Sequence, residues 1–332
     1  MKINDRKLDH LRICTEENVE AGNTGLKEVM LAHKALPEID YDEIDTGIRF
    51  LGKKLSYPII FEAMTGGVAE AAKINRDVAS VAQEYGVGFG VGSQRAAIED
   101  SSLEDTFRVR DVAPDIFLIA NLGAVQLNYG YSVKECAKAV NMIGADALAL
   151  HINPLQEAVQ TEGNRNFSDL AKKINEVGKK LGKPVIVKET GCGISYETAS
   201  LLKVAAIDVA GTGGTSWSLV ESHRSEGIGR DIGKTFSGWG IPTAESIREA
   251  AKTGMPVIAS GGIRTGIDAA KSLALGAQCV GMALPILTSW TVDGKKGIQD
   301  LVDKFITELK ISMFLTGAKN IEDLRGRIRE QH

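Results

Sequence analysis

Short apolar runs alternate with longer amphipathic stretches along this chain, and the alternation repeats eight times. The runs cover residues 58–63, 87–92, 116–121, 147–152, 184–188, 206–210, 256–260 and 279–282. Each is rich in β-branched or small residues and is bounded by turn residues, the pattern of a buried strand. Between them the periodicity predicts helices over 70–85, 103–112, 133–143, 167–181, 196–204, 243–252 and 267–275. Gly86, Gly144, Gly182, Gly254 and Gly276 fall at the ends of five of these, where a left-handed residue commonly stops a helix. Near-continuous apolar strands separated by helices imply a parallel sheet. Eight such units predict an α/β fold closed into a (β/α)8 TIM barrel rather than an open doubly wound sheet. Two segments fall outside the repeat: an N-terminal extension over 1–55, and a long loop over 211–241 after the sixth strand. Residues 56–332 then form one barrel domain, with a helical tail beyond residue 296 packed under it.

Length and composition agree with this reading. A chain of 332 residues that is 43% hydrophobic can close one decorated barrel around a packed core. The net charge of −4, without a basic stripe, argues against a nucleic-acid partner. No apolar run reaches the length of a membrane span, and the first residues lack the apolar stretch of a secretory signal, so a cytoplasmic protein without a membrane partner is expected. Cys14, Cys136, Cys192 and Cys279 are scattered, with neither metal nor disulfide spacing, and read as reduced thiols.

The candidate chemistry sits just past the strands, where a parallel barrel gathers all its C-terminal ends on one rim. SGGIRTG (260–266) follows the seventh strand, GMAL (281–284) the eighth and GTGGTS (211–216) the sixth. Three adjacent loops with free N–H groups form a phosphate cradle, to which Thr215 and Ser216 add hydroxyls. Lys188 ends the fifth strand. A lysine aimed into a barrel mouth needs an anion, and the negative charge of a cofactor ring is one. Pairing with Glu189 at the surface is the alternative. HINPLQE (151–157) ends the fourth strand and offers His151, Asn153, Gln156 and Glu157 at the rim, with Pro154 stopping the strand. Glu157 could hold a Mg²⁺ that also binds phosphate oxygens, or simply be a solvated carboxylate near a helix cap. GVGSQR (90–95) adds Ser93 and Arg95 as phosphate donors. Arg6, Lys7 and His10 either fold over the rim as a cationic flap or form a charged, frayed terminus.

Taken in order, RKLDH (6–10), EAMTGG (62–67), GVGSQR, NLG (121–123), HINPLQE, VKETGCGIS (187–195), GTGGTSW and ASGGIRTG resemble the type II, flavin-dependent isopentenyl-diphosphate isomerases. The likeness runs from residue 6 to about 284 and says least beyond that. It implies interconversion of isopentenyl and dimethylallyl diphosphate in isoprenoid biosynthesis, using reduced FMN and Mg²⁺, with NADPH needed only to reduce the flavin. It implies FMN contacts at Ala63, Met64, Thr65, Ser93, Asn121, Lys188, Thr215, Gly262, Arg264, Ala283 and Leu284. The substrate diphosphate would meet Arg6, Lys7, Ser93, Arg95, His151 and Asn153, with Gln156 near the reacting carbons and Glu157 on the metal. Gln156, Lys188 and His151 form the expected catalytic set, and a homo-tetramer or homo-octamer is the expected assembly. An FMN-dependent dehydrogenase or oxidase on the same barrel is the nearest rival. None of the five histidines lies near SGGIRTG, and the loop after the sixth strand lacks a cysteine nucleophile. A non-catalytic barrel that senses a phosphorylated metabolite is the second rival.

Overall fold

In the computed structural model, which describes residues 3–329, the eight predicted strands close into one parallel barrel. They are β1 (Ile59–Phe61), β2 (Gly88–Gly90), β3 (Phe117–Gly123), β4 (Ala147–His151), β5 (Val185–Lys188), β6 (Ala206–Asp208), β7 (Val257–Ala259) and β8 (Cys279–Met282). Neighbours pair in chain order, and β8 closes on β1 with Val280 opposite Ile59.

Side chains alternate inward and outward along a strand. Ile60, Phe117, Ile119, Ala147, Ala149, Ile186, Ala206, Ile258 and Cys279 fill the barrel interior. The outward set, including Ile59, Phe61, Leu118, Leu148 and Val187, packs against the surrounding helices. Below the strands, an antiparallel hairpin (Ile48–Phe50 with Lys53–Leu55) pushes Phe50 and Leu55 into the bottom of the interior. The Phe50 ring meets Phe117 edge to face at 5.7 Å. Fully burying two such side chains is worth about 1.5–3 kcal/mol each. The inner core thus sits at the bottom of the barrel, and the polar layer above it is left to the rim.

Helix α1 (Ile3–Glu16) lies outside the repeat. The helices that follow are α2 (Ala69–Tyr85), α3 (Arg95–Glu99), α4 (Val133–Ile143), α5 (Pro154–Val159), α6 (Leu170–Lys180), α7 (Tyr196–Ser200), α8 (Trp217–Arg224), α9 (Gly227–Thr235), α10 (Thr243–Ala251), α11 (Gly266–Ala274), α12 (Leu284–Thr316) and α13 (Ile321–Leu324). Several differ from expectation. The helix expected over 103–112 is replaced by α3 and a short 3₁₀ turn (Ser101–Thr106), because the Asp100 side chain accepts from Ser102 N and restarts the chain there. Pro154 does more than stop β4: it is the first residue of α5, where its missing N–H costs nothing. The connection 211–241 holds two helices. α8 is capped by the Ser216 hydroxyl and buries one aliphatic side chain, Val220, beside Ser218, Glu221 and Ser222, so it shows little apolar periodicity. The tail does not lie under the barrel. α12 breaks at Asp293–Gly294 and packs along the side, against α2 and α11, as the eighth outer helix.

Candidate active site

Strand parity carries the inward set one step beyond the apolar interior. Two residues past Ile60, Ile119, Ala149, Ile186, Ala206 and Ile258 stand Glu62, Asn121, His151, Lys188, Asp208 and Ser260. All but Asp208 line a cavity of about 260 Å³ at the C-terminal rim, and α1 covers it. The same cavity is lined by each predicted FMN contact, from Ala63, Met64 and Thr65 through Ser93, Asn121, Lys188, Thr215, Gly262 and Arg264 to Ala283 and Leu284. Lys7, Arg95, Asn153, Gln156 and Glu157 line it too. Arg6 belongs to α1, but its side chain lies outside the described residues.

Lys188 points inward and pairs with partners other than Glu189. Its Nζ lies 2.6 Å from Asp208 Oδ2 and 3.0 Å from Glu62 Oε2. Burial opposes the ammonium charge, but Asp208 and Glu62 outweigh it and hold Lys188 above its ordinary pKa. Glu62 is pushed up to about 7 by burial and then by Asp208. Ser260 Oγ donates to Asp208 Oδ1 at 2.5 Å. Glu189 faces the other way, and its buried carboxylate accepts from the backbone N–H groups of Thr190, Gly191 and Cys192. The Cys192 thiol beside it is pushed up to about 12, by burial and then by Glu189, so it is a neutral thiol and no nucleophile.

Above this floor, the end of β4 and α5 carry a polar chain. His151 Nδ1 lies 2.8 Å from Asn121 Oδ1, and burial, then Lys188, lowers its pKa to about 4. Asn153 Nδ2 donates to Gln156 Oε1 at 2.9 Å and to Glu157 Oε1 at 3.3 Å. Glu157 Oε2 accepts from Gln160 Nε2 at 2.9 Å. Gln156 Nε2 in turn donates to Glu221 Oε1 at 3.2 Å, and His10 Nε2 of α1 meets that same oxygen at 2.9 Å. Burial works against the Glu221 charge, yet His10 and Arg224 keep its pKa below the usual carboxylate value. Trp217 closes this corner, edge to face with His10 at 5.1 Å.

The N-terminal helix is fastened across the rim. Lys7 Nζ donates to Gly66 O, and to Ser93 O at 3.0 Å, and lies 5.1 Å from the centre of the Phe107 ring. Arg95 is held by Glu99 one turn along α3, at 2.8 Å. Arg264 pairs with Glu20, just past α1. On the opposite side, Gly261 and Gly262 have φ of +95° and +72°, and a Cβ on either would strike the backbone of Gly211 or Gly213. Only glycine lets the loops after β6 and β7 press backbone on backbone where Gly261 and Gly262 line the cavity.

This donor set fits an aromatic phosphate-bearing cofactor. The Thr65 hydroxyl and Asn153 Oδ1 are buried with no hydrogen-bond partner, and both residues line the cavity. It fits Mg²⁺ only together with a ligand. Among the described residues no group of three His, Cys, Asp or Glu side chains could enclose a metal. The Glu157 carboxylate and Asn153 Oδ1 are hard oxygens that phosphate oxygens and water could complete. Motif reading gave no role to Glu62, Asp208, Glu221, Gln160 and Trp217, although Glu62 opens EAMTGG and Trp217 closes GTGGTSW. Strand parity would have found the first two; Glu221 and Trp217 sit in the stretch read as a loop.

The sequence matches the FMN-dependent dehydrogenase family over residues 133–330. It is similar throughout to proteins named isopentenyl-diphosphate delta-isomerase. The one from Methanoregula boonei is 51% identical, with 96% of this chain and 91% of that protein aligned. The one from Archaeoglobus fulgidus is 49% identical, with 98% and 95% aligned, and that from Nostoc sp. 48% identical, with 96% and 93% aligned. Among solved structures, a flavocytochrome b2 variant with pyruvate bound superposes with a TM-score of 0.68 at 18% identity, over 96% of this chain and 82% of that one. A mandelate oxidase variant with benzoyl-formic acid superposes with a TM-score of 0.67 at 18% identity, over 98% and 94%. These two likenesses concern the barrel alone.

Proposed function

The chain belongs to the type II, FMN-dependent isopentenyl-diphosphate delta-isomerase family, and from that premise we propose that it shifts the double bond of isopentenyl diphosphate by one carbon with reduced FMN and Mg²⁺ in this cavity. Such a shift adds a proton at one carbon and removes one at another, with no net oxidation. Reduced FMN, when bound, supplies an electron-rich ring that steadies positive charge developing on the olefin. Lys188 would hold the negative edge of that ring, fixed in place by Asp208 and Glu62. The loops after β6, β7 and β8, with Gly262, Arg264, Ala283 and Leu284, would hold its phosphate.

The substrate diphosphate would lie between α1 and the end of β4, meeting Arg6, Lys7, Ser93, Arg95, His151 and Asn153, with Mg²⁺ on Glu157. His151 is neutral at pH 7. With the Asn121 oxygen as acceptor its Nδ1 carries the proton, and its Nε2 would donate to the anion only by taking up a proton from solvent as the diphosphate binds. Gln156 is a neutral amide and a poor base. Its bond to Glu221 puts a carboxylate directly behind it, and we assign ionised Glu221 the role of accepting, through Gln156, the proton that leaves the substrate. The flavin's source of electrons would be NADPH, the setting cytoplasmic and the assembly a homo-tetramer or homo-octamer.

The observation that supports this reading best is convergence: Lys188 at the floor, Gln156 and Glu157 line one cavity, and Glu221 stands behind Gln156. The test is direct. The purified protein is incubated with isopentenyl diphosphate, Mg²⁺ and dithionite-reduced FMN, and the allylic isomer should form. Binding of FMN without isomer formation would refute the proposed reaction.

A further inference from the structure

The proposed function uses the two carboxylates at the cavity floor only to hold the ammonium and leaves their excess negative charge unexplained. Glu62 and Asp208 are 5% and 1% exposed, and both reach Lys188. Asp208 is satisfied on its other side by Ser260. Glu62 is not: its Oε1 is buried and has no hydrogen-bond partner. The space it occupies is kept open by Gly281 in β8, where a Cβ would come within 2.3 Å of that oxygen. The groups around Glu62 are Lys188 from β5, Asp208 from β6, Ser260 after β7 and the neutral Cys279 thiol of β8, while His151 of β4 faces Lys188. With all three charged groups ionised, the cluster carries one net negative charge away from water. Two carboxylates around one ammonium do not both stay ionised cheaply. The one with an unsatisfied oxygen is the one that accepts a proton.

We propose that Glu62 is the charge-balancing acid of the flavin site, taking up a proton when the bound flavin is reduced and releasing it on reoxidation. The inference rests on the FMN reading above. Reduction to the singly protonated ring takes two electrons from an external donor and one proton, and leaves one extra negative charge at the edge that Lys188 would hold. That charge makes ionised Glu62 costlier, so a second proton moves from solvent to its carboxylate. An O–H bond forms there, and nothing on Glu62 is oxidised or reduced. Asp208 remains ionised and keeps Lys188 in place. Glu62 is thus a positioning and charge-setting residue for the reduced state, acting through Lys188.

The test is an equilibrium reduction of the FMN holoenzyme against a reference dye, measured upward from about pH 7, the value to which burial and Asp208 push Glu62. Uptake of two protons makes the reduction equilibrium fall about a hundredfold per pH unit, and uptake of one about tenfold. Wild type should show the steep dependence and Glu62→Gln the shallow one, with the absorption spectrum of the reduced ring unchanged. Should Glu62→Gln not fold, the infrared difference spectrum of wild type carries the test, because the carbonyl stretch of a protonated carboxyl must grow on reduction. A shallow wild-type dependence, a steep one retained in Glu62→Gln, or no carboxyl band would overturn the inference. An isomerase assay on the same sample separates the two readings. Isomerisation with one proton taken up overturns the role of Glu62 alone. Two protons taken up with no isomerisation overturns the proposed reaction alone.

Discussion

At the floor of the cavity, Lys188, Glu62 and Asp208 stand at the ends of strands that are hydrogen-bonded to their neighbours. At the roof, Gln156, Glu221 and His10 come from three helices, α5, α8 and α1, none of them a regular outer helix of the barrel. The floor is rigid because its register is the register of the barrel: Lys188 pairs with Asp208 across β5 and β6, and His151 pairs with Lys188 across β4 and β5. The roof is held by side-chain hydrogen bonds between separate segments, and one of these, α1, is fastened chiefly through Lys7, His10 and a small apolar cluster of Ile13, Val19 and Val220. The difference suggests a division of labour. A cofactor that stays bound needs a preorganised floor, whereas a substrate that comes and goes needs a roof that can part.

The sharpest way to break this comparison is to remove the floor's one cation. In Lys188→Met two buried carboxylates lose their partner. Removing one partner of a buried pair costs about 3–5 kcal/mol. Activity should fall by about a thousandfold or more, with weaker FMN binding and a lower melting temperature. Adding Glu62→Gln should restore part of the stability and none of the activity. Near-normal turnover in Lys188→Met would end the role given to the floor.

Glu221→Gln tests the roof. The side chain keeps its shape and can still bond Gln156, so FMN content and melting temperature should change little while kcat drops about a hundredfold or more. If flavin is lost as well, floor and roof are not separate units. Glu157→Gln should raise the Mg²⁺ concentration needed for half-maximal activity by about tenfold or more, at unchanged FMN content. An unchanged metal titration would remove the metal from Glu157. Replacing Arg6 and Lys7 together by alanine should raise KM about tenfold, or about 1.4 kcal/mol of binding, with the barrel still folded. An unmoved KM would mean that α1 is only a cover.

The two regions were not equally legible in the sequence. The floor follows from a period of two. Once residues 184–188 are read as a strand with Ile186 inward, Lys188 is inward too, and the same count from Ile60 and Ala206 reaches Glu62 and Asp208. Neither carries a role in the motif reading, because Glu62 stands ahead of the glycines of EAMTGG and Asp208 lies inside its strand, short of the loop. The order of all eight strands was legible for the same reason, since each buried run is short, apolar and bounded. The roof was only half legible. HINPLQE marks Gln156 and Glu157 by itself. Glu221, the partner of Gln156, is 65 residues further on, in a helix whose buried face is mostly polar. Apolar periodicity cannot reveal such a helix, because the helix is held by the Ser216 cap and by side-chain bonds such as Ser218 Oγ to Gly233 O at 2.7 Å. The place of α12 on the barrel's flank was likewise hidden, because Asp293–Gly294 interrupts its pattern.

The last expected effect separates floor and roof by sign. Glu62 and Glu221 are both buried glutamates with an ordinary value of 4.5, but the floor raises one to about 7 and the roof lowers the other. A raised carboxyl binds more protons folded than unfolded. Its contribution to stability is complete below about pH 4.5 and is lost as pH rises through about 7. A lowered carboxyl binds fewer protons folded, so its contribution is present above about 4.5 and is lost as pH falls through its folded value. With flavin removed, denaturant unfolding of wild type and the two glutamine variants across this range should give difference curves of opposite slope. The Glu62→Gln difference should change between about pH 4.5 and 7, by about 1.4 kcal/mol per unit at most, and the Glu221→Gln difference only below about 4.5. Two curves of the same sign would mean that the same environment surrounds both carboxylates. The contrast between a charge-crowded floor and a hydrogen-bonded roof would then have no energetic basis.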